Sequence, residues 1–126
     1  MATKLEDLLK LEGVVGCAAW RPMGRGKRPQ IIDAKGEMME HAVDMASAWC
    51  EFDLFTASQQ CAIYERYTKH ERFYPAEAIF IRGSEYSVIA VYSKKGDHMV
   101  SVFVANYARP NFWKLTEEMM EVDANQ

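Results

Sequence analysis

Three cysteines (Cys17, Cys50, Cys61) and three histidines (His41, His70, His98) are the side chains with which this chain could ligate a metal or attack a substrate. Zinc sites and Cys–His pairs usually show in sequence as short spacings such as Cys-x-x-Cys or His-x-x-x-His. None occurs, and no histidine stands beside a cysteine at ligand spacing. Cys50 and Cys61 lie in a stretch with a helical pattern. Eleven residues at ~1.5 Å each separate them by ~16 Å, well past the ~7 Å Cα limit of a disulfide. An odd set of three cysteines is no disulfide framework, and small buried hydrophobes are the plainer reading. Cys17 sits in an apolar run with no basic neighbour to stabilise a thiolate. His70, with Lys69 and Arg72, suits a helix C-terminus, where cations are favoured.

Phosphate chemistry fares little better. Gly24-Arg25-Gly26-Lys27 has the glycines and the lysine of a phosphate loop, but not the four-residue spacer or the Lys-Ser/Thr ending. A strand pattern follows it, not the helix N-terminus that would cradle an anion. The loop still concentrates Arg21, Arg25, Lys27 and Arg28 within eight residues. A solvated hairpin tip explains that. So does docking of an anionic partner, with nucleic acid the least favoured because no aromatic residues interleave for base stacking. No catalytic, metal-binding or cofactor-binding residue is expected, and no cofactor.

Composition narrows the class. The 126 residues suit one domain spanning 1–126, and 49% apolar with 26% charged residues is an ordinary globular mixture. Eighteen acids against fifteen bases, a net charge of −3, exclude a wholly basic nucleic-acid binder. No apolar run approaches the ~18 residues of a membrane-spanning helix. The opening MATKLEDLLKLEG lacks the layout of a secretion signal, so a cytoplasmic protein is expected.

The elements read as follows. Thr3 and Glu6 have capping-box spacing ahead of Leu5, Leu8 and Leu9, a short amphipathic helix stopped at Gly13. Val14–Trp20 is a small-residue apolar run that fits a strand covered on both faces. Gln30–Ala34 is a second strand. From Glu37 a helical pattern runs without proline or glycine to about Arg72. Met38, Ala42, Met45, Trp49 and Phe52 form one stripe on it. Met39, Val43, Ala46, Cys50, Ala57, Cys61 and Tyr64 form another, and two stripes predict burial on two sides. Strands are expected at Glu77–Arg82, Tyr86–Tyr92 and Met99–Ala105, the last two joined by the hairpin Lys94-Lys95-Gly96-Asp97. Pro110 suits the first turn of a closing helix with Phe112, Leu115, Met119 and Val122 inward, and the tail beyond Glu121 is expected to fray. Trp20 and Trp113 are placed in one core cluster. The order α-β-β-α-β-β-β-α makes an α+β domain, a three-layer α/β/α arrangement around a five-stranded, mostly antiparallel sheet.

That order, with Lys4–Gly16 leading into the first strand as Gly13-Val14-Val15-Gly16-Cys17-Ala18, resembles the Roadblock (dynein light-chain type) fold of the profilin-like and longin-like group. Lys4–Val14, Asp33–Glu37 and Gly83–Val88 resemble more closely still a family of short prokaryotic proteins of unknown function. The resemblance covers nearly the whole chain, its motifs are structural, and the longer, basic loop after the first strand departs from it. It implies homodimers or heterodimers in which long helices pack together and third strands extend the sheet. It also implies a scaffold or adaptor role toward a protein partner such as a small Ras-like GTPase or another complex.

The leading expectation is therefore a non-enzymatic homodimeric scaffold or regulatory adaptor. Its interface is expected on the long helix and the Glu77–Arg82 edge, at Met38, Met45, Trp49, Phe52, Ile79 and Ile81. Arg21, Arg25, Lys27 and Arg28 are the anion-docking candidates. The alternative is a small-ligand sensing module, with room beside Gly16, Ala18 and Ala19 for a cavity between sheet and helix.

Overall fold

The structure is a computed structural model and describes residues 3–24, 27–37, 54–70, 72, 75–95 and 98–123. Within them the order is a 3₁₀ helix η1 (Leu5–Lys10), β1 (Val14–Arg21), β2 (Gln30–Gly36), α1 (Leu54–Thr68), β3 (Ala78–Arg82), β4 (Tyr86–Tyr92), β5 (Met99–Ala105), a second 3₁₀ turn η2 (Asn106–Ala108) and α2 (Phe112–Met120). The strands form one sheet in the order β2-β1-β5-β4-β3, every pair antiparallel. The expected α+β class and five-stranded sheet are present.

β1 lies next to the central strand, and both its faces are buried. Cys17 and Ala19 join Ile89, Val91, Val100, Val102 and Val104 in a core closed by η1 and α2 through Leu5, Leu8, Leu115 and Met119, and by Val122 just beyond α2. Ala18 and Trp20 join Ala90 and Met99 on the opposite face, where Phe103, Ile31 and Ala34 pack against them. The small residues of β1 allow this close double packing. Trp20, 1% exposed, donates its Nε1–H to Ser101 Oγ at 2.7 Å, as a buried indole must find an acceptor. α1 packs against β3.

Six details differ from expectation. The first helix is 3₁₀, whose three-residue turn stacks Leu5 over Leu8, both buried. Its N-terminus is held by Asp7, whose carboxylate accepts from the Lys4 amide at 3.1 Å, not by Thr3 and Glu6. Thr3 instead pairs with Val122: its amide donates to Glu121 O and its carbonyl accepts from the Asp123 amide. Val122 is thus fully buried, and the chain does not fray immediately beyond Glu121. α1 ends at Thr68, short of Arg72. Thr68 Oγ1 donates to Tyr64 O and accepts from the His70 amide, and Lys69 turns left-handed at φ 60°. Pro110 precedes α2, whose N-cap is Asn111, with Oδ1 accepting from the Lys114 amide at 3.1 Å. Trp113 is 76% exposed and shares no core with Trp20.

Gly13 shows why the turn into β1 takes glycine. Its φ is +86°, and a Cβ there would stand 2.5 Å from the Cβ of Ala108.

Candidate functional site

The interface expected on the long helix falls largely outside the described residues: Met38, Met45, Trp49 and Phe52 have no described placement. Ile79 and Ile81 do. They point to one face of β3, opposite Ala90 and Val88 of β4, with Ile79 half-buried and Ile81 49% exposed. Phe80 points to the other face and is also half-exposed. β3 is the outer strand and, among the described residues, pairs only with β4. Its free edge therefore offers backbone donors and acceptors beside apolar side chains, which soluble proteins rarely leave bare. α1, packed against this strand, exposes Ile63, Tyr64 and Tyr67. It carries the described members of the expected second stripe, Ala57, Cys61 and Tyr64, half-buried to exposed.

The basic loop stands elsewhere. It links β1 to β2, on the side of the sheet away from β3. Arg21 is half-buried, with Nη1 donating to Gln30 Oε1 at 3.4 Å. Lys27 and Arg28 are exposed, and Arg25 lies outside the described residues. Among the described residues, Ile79 and Ile81 on β3 and the β1–β2 loop lie toward opposite ends of the sheet.

The chemical side chains are dispersed. Cys17 is fully buried with its Sγ 3.4 Å from Leu5 O. Burial, reinforced by the Asp33 carboxylate, pushes its thiol up to about 12, so it is held protonated and unreactive. Cys61 is half-buried on α1, His70 is exposed, His98 is buried at the start of β5, and His41 and Cys50 lie outside the described residues. Among the described residues no three His, Cys, Asp or Glu side chains converge as metal ligands, and no helix is long and apolar enough to cross a membrane.

Ala18 and Ala19 are fully buried in the two core clusters, and the helix expected to close a cavity over them lies largely outside the described residues. A groove opens between β3–β4 and the head of α2, with a volume of about 430 Å³. It is lined by the nearly buried Ile89 and Val104 and by Phe80 and Phe112, whose rings touch edge to face with centroids 5.5 Å apart. Arg82 and Arg109 lie along it, and Ser87 Oγ donates to Asn106 Oδ1 at 2.6 Å while Asn106 Nδ2 donates to Gly83 O at 2.8 Å. Sequence inspection missed this groove because its aromatic and cationic residues are some thirty positions apart and meet only when β3 is laid beside α2. The exposure of Trp113 was legible: it stands one position off the inward Phe112, Leu115, Met119 stripe, about 100° round the helix.

The fold is similar to the crystal structure of a Roadblock/LC7 domain from Streptomyces avermitilis, with TM-score 0.59 and 11% identity over 91% of this chain and 84% of that one. MglC from Myxococcus xanthus aligns less well, at TM-score 0.43 and 19% identity over 90% of this chain and 85% of that one. No curated protein matches the chain. The Roadblock-like architecture expected from the first-strand motif is thus present. The family described as "Uncharacterized conserved protein (DUF2173)" matches residues 4–121, nearly the full length, and the chain belongs to that family.

Proposed function

We propose that this protein is a non-catalytic, cytoplasmic docking module that pairs with a second copy of itself across α1 and the free edge of β3, and through that dimer scaffolds a protein partner. One observation carries the reading. The outer strand and the helix packed on it both present apolar side chains to solvent: Ile81 on β3, Ile63, Tyr64 and Tyr67 on α1. An edge strand with apolar residues is a template for strand addition, and apolar rings clustered on a surface are the usual anchors of protein interfaces. Met38, Met45, Trp49 and Phe52 extend the same interface along the expected helix, and Ile79 and Ile81 complete it on the strand. The buried, protonated Cys17 fits a role in binding better than one in covalent chemistry.

Arg21, Arg25, Lys27 and Arg28 form a second, separate contact for an acidic face of the partner, on the far side of the sheet from the dimer edge. The test of the pairing is the mass of the protein in solution, alone and with Ile81→Glu. A dimer that this single charge dissociates supports the reading, and a monomer refutes it.

A further inference from the structure

We infer that the groove between β3–β4 and the head of α2 binds a small amphipathic carboxylate, its apolar body on Phe80, Ile89 and Phe112 and its carboxylate on Arg82 and Arg109. This goes beyond the docking role and does not depend on it: Ile79 and Ile81 point to the opposite face of β3 from Phe80 and Arg82.

The size and the lining set the ligand class. About 430 Å³ falls within the ~300–1,000 Å³ of small-molecule sites. The apolar side chains come from three elements, so the surface exists only in the folded chain. The groove's charge is opposite to that of the whole protein. The chain has eighteen acids and a net charge of −3, yet this groove is lined by two arginines and no acid.

Polar capacity points the same way. Ser87 and Asn106 are occupied, bonded to each other and, through Asn106, to Gly83 O, so they shape the groove without asking anything of a ligand. Arg82 and Arg109 make no side-chain hydrogen bond or ion pair among the described residues. A guanidinium only donates, in a planar fork that matches the two oxygens of a carboxylate. A ligand must therefore bring acceptors at one end and apolar surface at the other.

Arg109 closes η2 with a left-handed backbone, φ 47° and ψ 55°, where glycine or asparagine would sit at less cost. The turn also aims the chain into Asn111, which caps α2 beside the groove.

The test is an amide-resolved NMR titration of the full-length protein with indole-3-acetate, its neutral counterpart indole-3-ethanol, and inorganic phosphate. Expected are shifts at Phe80, Ile89 and Phe112 with indole-3-acetate, at least tenfold weaker binding of indole-3-ethanol, and none of phosphate alone. Arg82→Gln and Arg109→Gln should each weaken indole-3-acetate about tenfold or more. Arg109→Gly, which relieves the backbone, should keep the melting temperature and lose the same affinity. The inference is overturned by any of three results. The carboxylate leaves these amides unmoved at millimolar concentration, or the neutral analogue binds equally, or the arginine variants bind as the parent does. It is overturned too if Arg82→Gln changes the mass in solution but not the titration, since the groove is then an interface between copies.

Discussion

Phe80 on the outer strand and Phe112 at the head of α2 meet edge to face, ring centroids 5.5 Å apart and planes at 76°. This pair ties the free edge of the sheet to the closing helix, and it holds one wall of the groove against the other. Phe80 is half-exposed, so its truncation loses the ring pair and only part of a buried side chain. Phe80→Ala should therefore destabilise the fold by about 1–2 kcal/mol, read from urea denaturation. No loss of stability would mean the edge is held by its backbone alone.

Gly13 should tolerate no side chain. Alanine there combines a left-handed backbone with a Cβ driven against Ala108. Gly13→Ala should cost about 2–4 kcal/mol in the same denaturation series, the sum of the backbone and overpacking penalties. A near-neutral result would show that the turn between η1 and β1 can move.

Both predictions rest on features of unequal visibility in the sequence. β4 and β5 have the bounds that alternation and the flanking turn residues suggest, because a strand with a buried face must repeat every two residues. β1 is legible for a related reason: a run of small apolar residues leaves room for packing on both sides. The end of α1 is not, because Thr68 closes it through its own hydroxyl in a stretch that has no glycine or proline. Thr3 misleads similarly: it has the spacing of a cap, yet it bonds the chain next to Val122, over a hundred residues away. The edge residues Ile79 and Ile81 could be named from alternation. The groove, made where distant residues converge, could not.

Cys17 gives a pH dependence. Its thiol is pushed up to about 12 from an ordinary 9.0, first by burial and then by Asp33. Between those values the unfolded chain loses a proton that the folded chain keeps, so the unfolded state is favoured as pH rises. The contribution is complete below pH 9 and disappears as pH climbs toward 12. Cys17→Ala should flatten the fall in stability across that window relative to the parent. Equal slopes would place an ordinary thiol there. Below pH 9, Cys17 should resist a thiol reagent until the protein is unfolded.

The basic loop should matter for contacts and not for folding. Lys27 and Arg28 are exposed, and Arg21 is half-buried with a 3.4 Å bond to Gln30. Changing Arg21, Arg25, Lys27 and Arg28 together to Gln should shift stability by under about 1 kcal/mol. It should also abolish retention on a polyanionic matrix at low salt, where four cations contribute most. Retention equal to the parent's would remove the loop as an anion-docking surface.

The central claim, pairing across α1 and the β3 edge, is tested most directly by light scattering on a size-exclusion column, in reductant and over a wide concentration range. The account predicts a constant mass of about 29 kDa, twice the 14.5 kDa chain, that falls to the single-chain mass in Ile81→Glu and in Trp49→Glu with folding unchanged. A mass of 14.5 kDa at every concentration, or a dimer indifferent to both charges, would contradict it.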